Sequence, residues 1–214
     1  MNKPAVPHDQ HREPSPDKRE AILRTALVLF CERGFYGTPT SLISREAGVA
    51  TGTLFFYFAT KEELIDTLYR EVKGKAAEAL KNGVEQETST QKKLCRLWEN
   101  AIVWAIDNPD QFRFMEQFAH SPFVSPVAQE EGMSHFLFLQ DLIKEGIQQG
   151  VIRDYDPRLL CSILAASLAG LTTRLIATPD PEERTILTKQ ALTFLWNGLA
   201  ADEEKNRIRT TKKH

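Results

Sequence analysis

The chain has 214 residues, enough for one large domain or two smaller ones with a substantial core. Its 27 Lys and Arg nearly balance 29 Asp and Glu, leaving a net charge near −2, which excludes both a histone-like basic protein and a polyacidic one. Apolar residues at 42% and charged residues at 26% exclude global disorder.

The proline-rich, polar residues 1–14 have no apolar centre, so they read as a flexible arm and not as a signal peptide. From there the punctuation is helical. Ser15-Pro16 opens a first helix, with Ser as N-cap and Pro at the first helical position. Ile22, Ala26, Leu29 and Phe30 give it one apolar face, and Gly34 ends it. Thr38-Pro39 reads as the start of a short helix closed by Gly48, and a second short helix follows from Ala50 to Phe58. Thr60 and Glu63 have the spacing of a capping box and open a longer helix to Gly83, with Gly74 as a plausible pivot.

Further on, Lys92–Asp107 is amphipathic and Asn108-Pro109 restarts the chain. Gln111–Ala119 and Val127–Gln149 follow as helices, the second closed by Gly150. Asp156-Pro157 and Asp180-Pro181 repeat the N-cap and Pro signal and open helices Pro157–Ala177 and Pro181–Ala200. The charged residues 202–214 read as a flexible tail. No strand-like alternation is present, so the expected fold class is all-α.

Phosphate-binding glycine loops, a nucleophile elbow and zinc-protease spacing are all absent, and nothing in the sequence supports an enzyme. Cys31, Cys95 and Cys161 are too far apart for a zinc motif or a disulfide framework, which points to a reducing cytoplasm. No uninterrupted apolar run reaches the roughly 18 residues of a spanning helix, so no membrane partner is expected. No cofactor or metal is expected either. His120 and His135 lack a neighbouring ligand cluster.

Two short helices joined by a turn holding Gly, after a packing helix, make a helix-turn-helix. A recognition helix must offer short polar side chains and hydroxyls to a DNA groove. Thr51 and Thr53 can donate to phosphate or touch a thymine methyl, and Gly52 lets the backbone approach closely. Phe56 is the phenylalanine expected to face DNA, whereas Phe55 and Phe58 are expected in the core. Tyr57 supplies a hydroxyl, and Arg45 a charge on the first helix of the pair. Lys61 and Thr38 sit at helix starts, where free N–H groups favour an anion.

The run Gly34-Phe35 … Thr38 … Ile43 … Ala47-Gly48-Val49-Ala50-Thr51-Gly52-Thr53-Leu54-Phe55-Phe56-Tyr57-Phe58 … Lys61-Glu62-Glu63-Leu64 resembles the DNA-binding domain of the TetR/AcrR family of transcriptional regulators. The resemblance covers about residues 18–70. It departs from the family pattern at Ala50, where a Ser N-cap is usual, and at Phe55 and Phe56, where Tyr or His is commoner. It implies a three-helix DNA-binding head over residues 15–66 and a larger helical domain over 67–201 that binds a small effector and dimerises. The implied function is a repressor released from a palindromic double-stranded operator by a small hydrophobic molecule.

In the larger domain the aromatic set interleaved with polar groups is the expected effector site, with Trp98, Ile102, Phe112, Met115, Phe118, His120 and Phe136 as lining residues. The homodimer interface is expected on the last two helices, at Ala166, Leu168, Gly170, Leu187, Ala191, Phe194, Leu195 and Gly198. The competing reading is a helix-turn-helix scaffold protein that binds DNA without any effector.

Overall fold

The computed structural model describes residues 16–201. The expected arm and most of the expected tail lie outside the described residues. Ten α-helices are present among them: α1 (Pro16–Arg33), α2 (Thr40–Glu46), α3 (Thr51–Tyr57), α4 (Lys61–Lys81), α5 (Thr90–Asp107), α6 (Pro109–Phe118), α7 (Pro126–Ser134), α8 (Leu137–Gln148), α9 (Pro157–Ile176) and α10 (Pro181–Leu199). A single 3-10 turn, Val84–Gln86, follows α4. The chain divides into two compact units between Leu64 and Ile65.

The first unit packs α1, α2, α3 and the start of α4 around Ile22, Ala26, Phe30, Ile43, Leu54 and Phe58, all buried. Phe30 and Phe35 stack with ring centroids 5.9 Å apart. Gly34 and Gly48 take φ values of 67° and 68°, so the chain turns sharply after α1 and after α2 where a side chain would be strained. The capping box forms with a shift of one residue. The Glu63 N–H donates to Thr60 Oγ1 at 3.0 Å, while the Glu63 carboxylate accepts from the Ala59 N–H at 2.8 Å, not from Thr60.

The second unit has its main core where α5, α8, α9 and α10 meet, at Leu94, Leu97, Ile143, Leu164 and Leu195 among others. The Asp-Pro signals act as expected. Asp156 accepts from the Arg158 and Leu159 N–H groups, and Asp180 from that of Glu182. Ser89 and Ser125 cap α5 and α7 in the same way. Near the end of the chain, Ile152 and Ala200 form an isolated antiparallel bridge. There the Arg153 N–H donates to the Leu199 carbonyl at 2.8 Å, and the Ala201 N–H to that of Val151 at 3.0 Å.

The expected single helix over Val127–Gln149 is two helices, α7 and α8, parted at His135 and Phe136. The break has a packing reason. In one continuous helix Phe136 and Phe138 would point to nearly opposite sides. Here their rings lie 28° from parallel with centroids 6.4 Å apart, and both face one cavity. His135 packs over Gly74, whose added Cβ would stand 3.6 Å from the imidazole Nε2.

Candidate DNA-binding surface and ligand cavity

On the outer side of α3, Thr51, Gly52 and Phe56 are exposed, Phe56 by 67%, and Thr53 and Tyr57 are half-buried. Phe55 is exposed as well, against the core position expected for it, because Leu54 and Phe58 already fill the interior. The Phe56 and Tyr57 rings meet edge to face at 5.4 Å. Gly52 has no positive φ, and a Cβ added to it would meet nothing within 4 Å. Neither conformation nor packing inside the chain therefore requires a glycine there. Thr51 Oγ1 lies 3.1 Å from Ser44 Oγ and ties α3 to α2. It does not cap: Ala50 is the N-cap residue of α3, and no side chain caps that helix.

Thr38 corrects the sequence expectation. Its side chain is fully buried, and its one hydroxyl proton is shared inward between the carbonyls of Gly34 at 2.8 Å and Leu29 at 3.0 Å. It neither caps α2, whose N-cap residue is Pro39, nor presents a group to DNA. The Lys61 ammonium donates to the Phe35 carbonyl and lies 4.0 Å from the centroid of the Phe35 ring. This burial lowers its pKa, and Glu62 opposes the shift. Two of its three N–H donors remain for another acceptor. Arg45 is exposed and paired with the neighbouring Glu46 at 2.9 Å. Sequence reasoning gave no role to Tyr36, the most exposed aromatic of this unit at 83%.

The second unit holds a cavity of about 660 Å³, walled by α4, α5, α6, α7, α8 and α9 and by the α7–α8 break. That is within the usual range for small-molecule sites. Of the residues expected to line it, Trp98, Phe112, Met115 and Phe136 do. Ile102 and Phe118 do not. Both are buried in the core, Phe118 against Phe114 with centroids 4.8 Å apart. His120 lies exposed beyond the end of α6.

Sequence reasoning did not place Lys73, Cys161 and Thr172 in this wall, nor the exposed Glu116, Glu130 and Arg158. Burial raises the pKa of the Cys161 thiol, the largest of several influences. Lys73 is only 9% exposed, and its ammonium lies 5.5 Å from the Tyr69 ring centroid and 5.4 Å from that of Phe136. Burial lowers its pKa, and Glu116 opposes the shift. A Cβ on Gly132 would stand 2.7 Å from the Tyr69 ring, so this glycine admits the ring that carries Lys73.

On α9 and α10 the expected interface residues separate into two groups. Ala166, Gly170, Phe194 and Gly198 are exposed, and Leu187 and Ala191 are half-buried. Leu195 instead points into the core, and Leu168 lines the cavity. A Cβ on Gly170 or Gly198 would meet nothing within 4 Å. Although no unbroken apolar run exists, α9 is long and apolar enough on average to cross a membrane, with mean hydropathy 1.8 and 22% of that stretch buried.

Two family models match the chain in tandem. Residues 22–68 match the tetR family of bacterial regulatory proteins, and residues 69–200 match a tetracyclin repressor-like C-terminal domain. A solved structure of a tetR family chain from Shewanella sp. PV-4 is 32% identical, with a TM-score of 0.80 over 86% of this chain and 99% of that one. The fatty acid metabolism regulator protein of Bacillus subtilis is 23% identical across 83% of this chain and 93% of its own length. The crystal structure of FadR from Bacillus subtilis in complex with stearoyl-CoA has a TM-score of 0.71 at 21% identity, covering 84% of this chain and 98% of that one.

Proposed function

The chain belongs to the TetR family of bacterial transcriptional regulators, and on that premise we propose that it is a repressor released from a palindromic operator by a small, largely apolar effector. The cavity of about 660 Å³ in the second unit carries this reading. A scaffold protein that binds only DNA has no use for a cavity walled by Trp98, Phe112, Met115 and Phe136. The names of two relatives point the same way, one a regulator of fatty acid metabolism and one a complex with stearoyl-CoA.

The DNA-facing set is Arg45, Thr51, Gly52, Thr53, Phe56, Tyr57 and Lys61, with Thr38 withdrawn. Binding rests on hydroxyls, backbone approach at Gly52 and two cations, so its salt dependence is shallow for a DNA-binding protein. Regulators of this family act as dimers. The exposed small and apolar residues of α9 and α10, Phe194 above all, supply the homodimer surface. A two-fold dimer presents two α3 helices to successive major grooves, about 34–36 Å apart. An effector that prefers a dimer with another spacing drains the DNA-bound population, and only by its difference in affinity for the two states.

The test has two stages. Duplexes selected from a random pool should be enriched for an inverted repeat. Fluorescence anisotropy on the selected duplex should then fall when a compound that quenches Trp98 and Trp104 is added. DNA binding indifferent to every compound that enters the cavity would support the scaffold reading and refute this one.

A further inference from the structure

Among the described residues Lys73 is a buried charged side chain that forms no ion pair. An uncompensated buried charge is costly, and buried charges are normally paired. The two aromatic faces at 5.4 and 5.5 Å give part of the compensation, and Met133 Sδ at 4.0 Å adds little. Among the described residues no carboxylate forms an ion pair with it, and Glu116 offsets its burial only in part. A second wall atom is in the same condition. Thr172 is 1% exposed, and its Oγ1 has no hydrogen-bond partner. Both residues line the same cavity, whose wall is mostly Leu, Ala, Met, Trp and Phe but also carries Glu116, Glu130, Gln140 and Arg158. A purely hydrocarbon ligand would leave both groups unmatched.

We infer that the effector is an organic monoanion, an apolar body bearing a single carboxylate that pairs with the Lys73 ammonium inside the cavity. This rests on the cavity being the effector site, as proposed above. One charge is what the site matches. Lys73 is the buried cation; Arg158 also lines the cavity but is exposed to solvent, and the exposed Glu116 and Glu130 on the same walls disfavour a polyanion entering deeply. A cationic amphiphile meets repulsion from Lys73, and an ester or thioester offers it no full charge. Burial also makes the lysine readier to lose its proton, and an incoming carboxylate restores the charged form.

The experiment titrates the full chain with dodecanoate, methyl dodecanoate, dodecylamine and dodecanoyl-CoA, all below aggregation, reading tryptophan quenching and release of the selected duplex. Dodecanoate should bind at least about tenfold tighter than the methyl ester, as expected of a charge-assisted pair in an apolar site, and dodecylamine should bind most weakly. In Lys73→Met the acid and ester should bind alike, with ester affinity retained, while Lys73→Arg should keep the preference for the acid. Retained ester binding and helical circular dichroism show that the variant is folded. If Lys73→Met does not fold, the order among the four probes on the wild type decides. An unchanged acid-to-ester ratio in Lys73→Met, or amine or thioester binding as tight as the acid, would overturn the inference. If the ester releases DNA as well as the acid does, the carboxylate inference fails and the effector cavity stands. If no probe enters the cavity, both fail.

Discussion

Replacing Thr38 by Val separates folding from DNA contact at the position where the two readings diverge. The substitution keeps the shape and exchanges the hydroxyl for a methyl. Leu29 lies inside α1, so its carbonyl keeps a helical donor. The Gly34 carbonyl has the Thr38 hydroxyl as its hydrogen-bond donor among the described residues. The loss is therefore one hydrogen bond, about 0.5–1.5 kcal/mol net, plus part of the roughly 1–3 kcal/mol for an acceptor left unmatched. Gly34 is half-buried, so water relieves some of that second contribution. The sum is about 1–2 kcal/mol. With a urea dependence of about 1–3 kcal/mol per M, the midpoint for unfolding the first unit should fall by roughly 0.5–1 M. In the absence of urea the protein remains folded, and affinity for the selected duplex should stay within about twofold of wild type, less than 0.5 kcal/mol. Thr38→Ser should recover most of the midpoint. A Thr38→Val protein with wild-type stability and tenfold weaker DNA binding would refute the inward hydrogen bonds and restore Thr38 to the DNA surface.

Phe194→Arg should yield a species near the single-chain mass of 24.3 kDa by light scattering, because Phe194 is 78% exposed in the isolated chain and, on the proposed two-fold interface, two copies would meet there. At about 2–3 kcal/mol for each phenylalanine removed from water, association should weaken by at least about a thousandfold, and an unchanged dimer would exclude this face. Gly132→Ala places a methyl 2.7 Å from the Tyr69 ring and 3.2 Å from Lys73 Cγ, so it should destabilise the second unit by about 1–3 kcal/mol in a urea titration. Stability equal to wild type would show that the ring moves freely aside. Lys73 also has a pH signature. Its folded pKa lies below the ordinary 10.5, so in alkaline solution the unfolded chain binds more protons and stability rises with pH. Wild type should therefore gain on Lys73→Met as the pH climbs from its lowered folded value toward 10, and denaturation at several pH values should show no such gain if the ammonium is solvated. Tyr69, raised by burial, opposes this only above its ordinary 10.0 and is common to both proteins.

The elements that sequence reading placed well are those whose ends carry local chemistry. Asp156-Pro157, Asp180-Pro181 and the Thr60–Glu63 pair mark helix starts within a few residues, and the structure uses each. The break between α7 and α8 has no Gly or Pro at it. It follows from where the Phe136 and Phe138 rings pack, which no local pattern encodes. Thr38-Pro39 carries the same signal as the working caps, yet the hydroxyl is captured by carbonyls at the end of α1. In the cavity, periodicity separates an apolar face from a polar one but cannot distinguish a core position such as Ile102 from a wall position such as Trp98. Lys73 is the extreme case. On a charged helix it reads as one more solvated lysine, and it is enclosed only when Phe136 and Met133 approach from elsewhere in the chain to join Tyr69, one turn earlier on the same helix. The same limit explains Leu168 and Leu195, which share helices with the exposed Ala166 and Phe194 but face inward.

The backbone bridge joining Val151, Ile152 and Arg153 to Leu199, Ala200 and Ala201 sets where this chain tolerates cutting and joining. It ties the last turn of α10 to the segment between α8 and α9, and Arg153 Nε adds a bond to the Ala200 carbonyl at 2.8 Å. A reporter domain joined after Ala201 leaves every one of these bonds in place. A stop codon after Leu199 removes the Ala200 acceptor and the Ala201 donor together. It removes the backbone bridge at Ile152 and should let the end of α10 fray. A two-residue difference in where the gene is cut thus separates a well-behaved fusion from a protease-sensitive one.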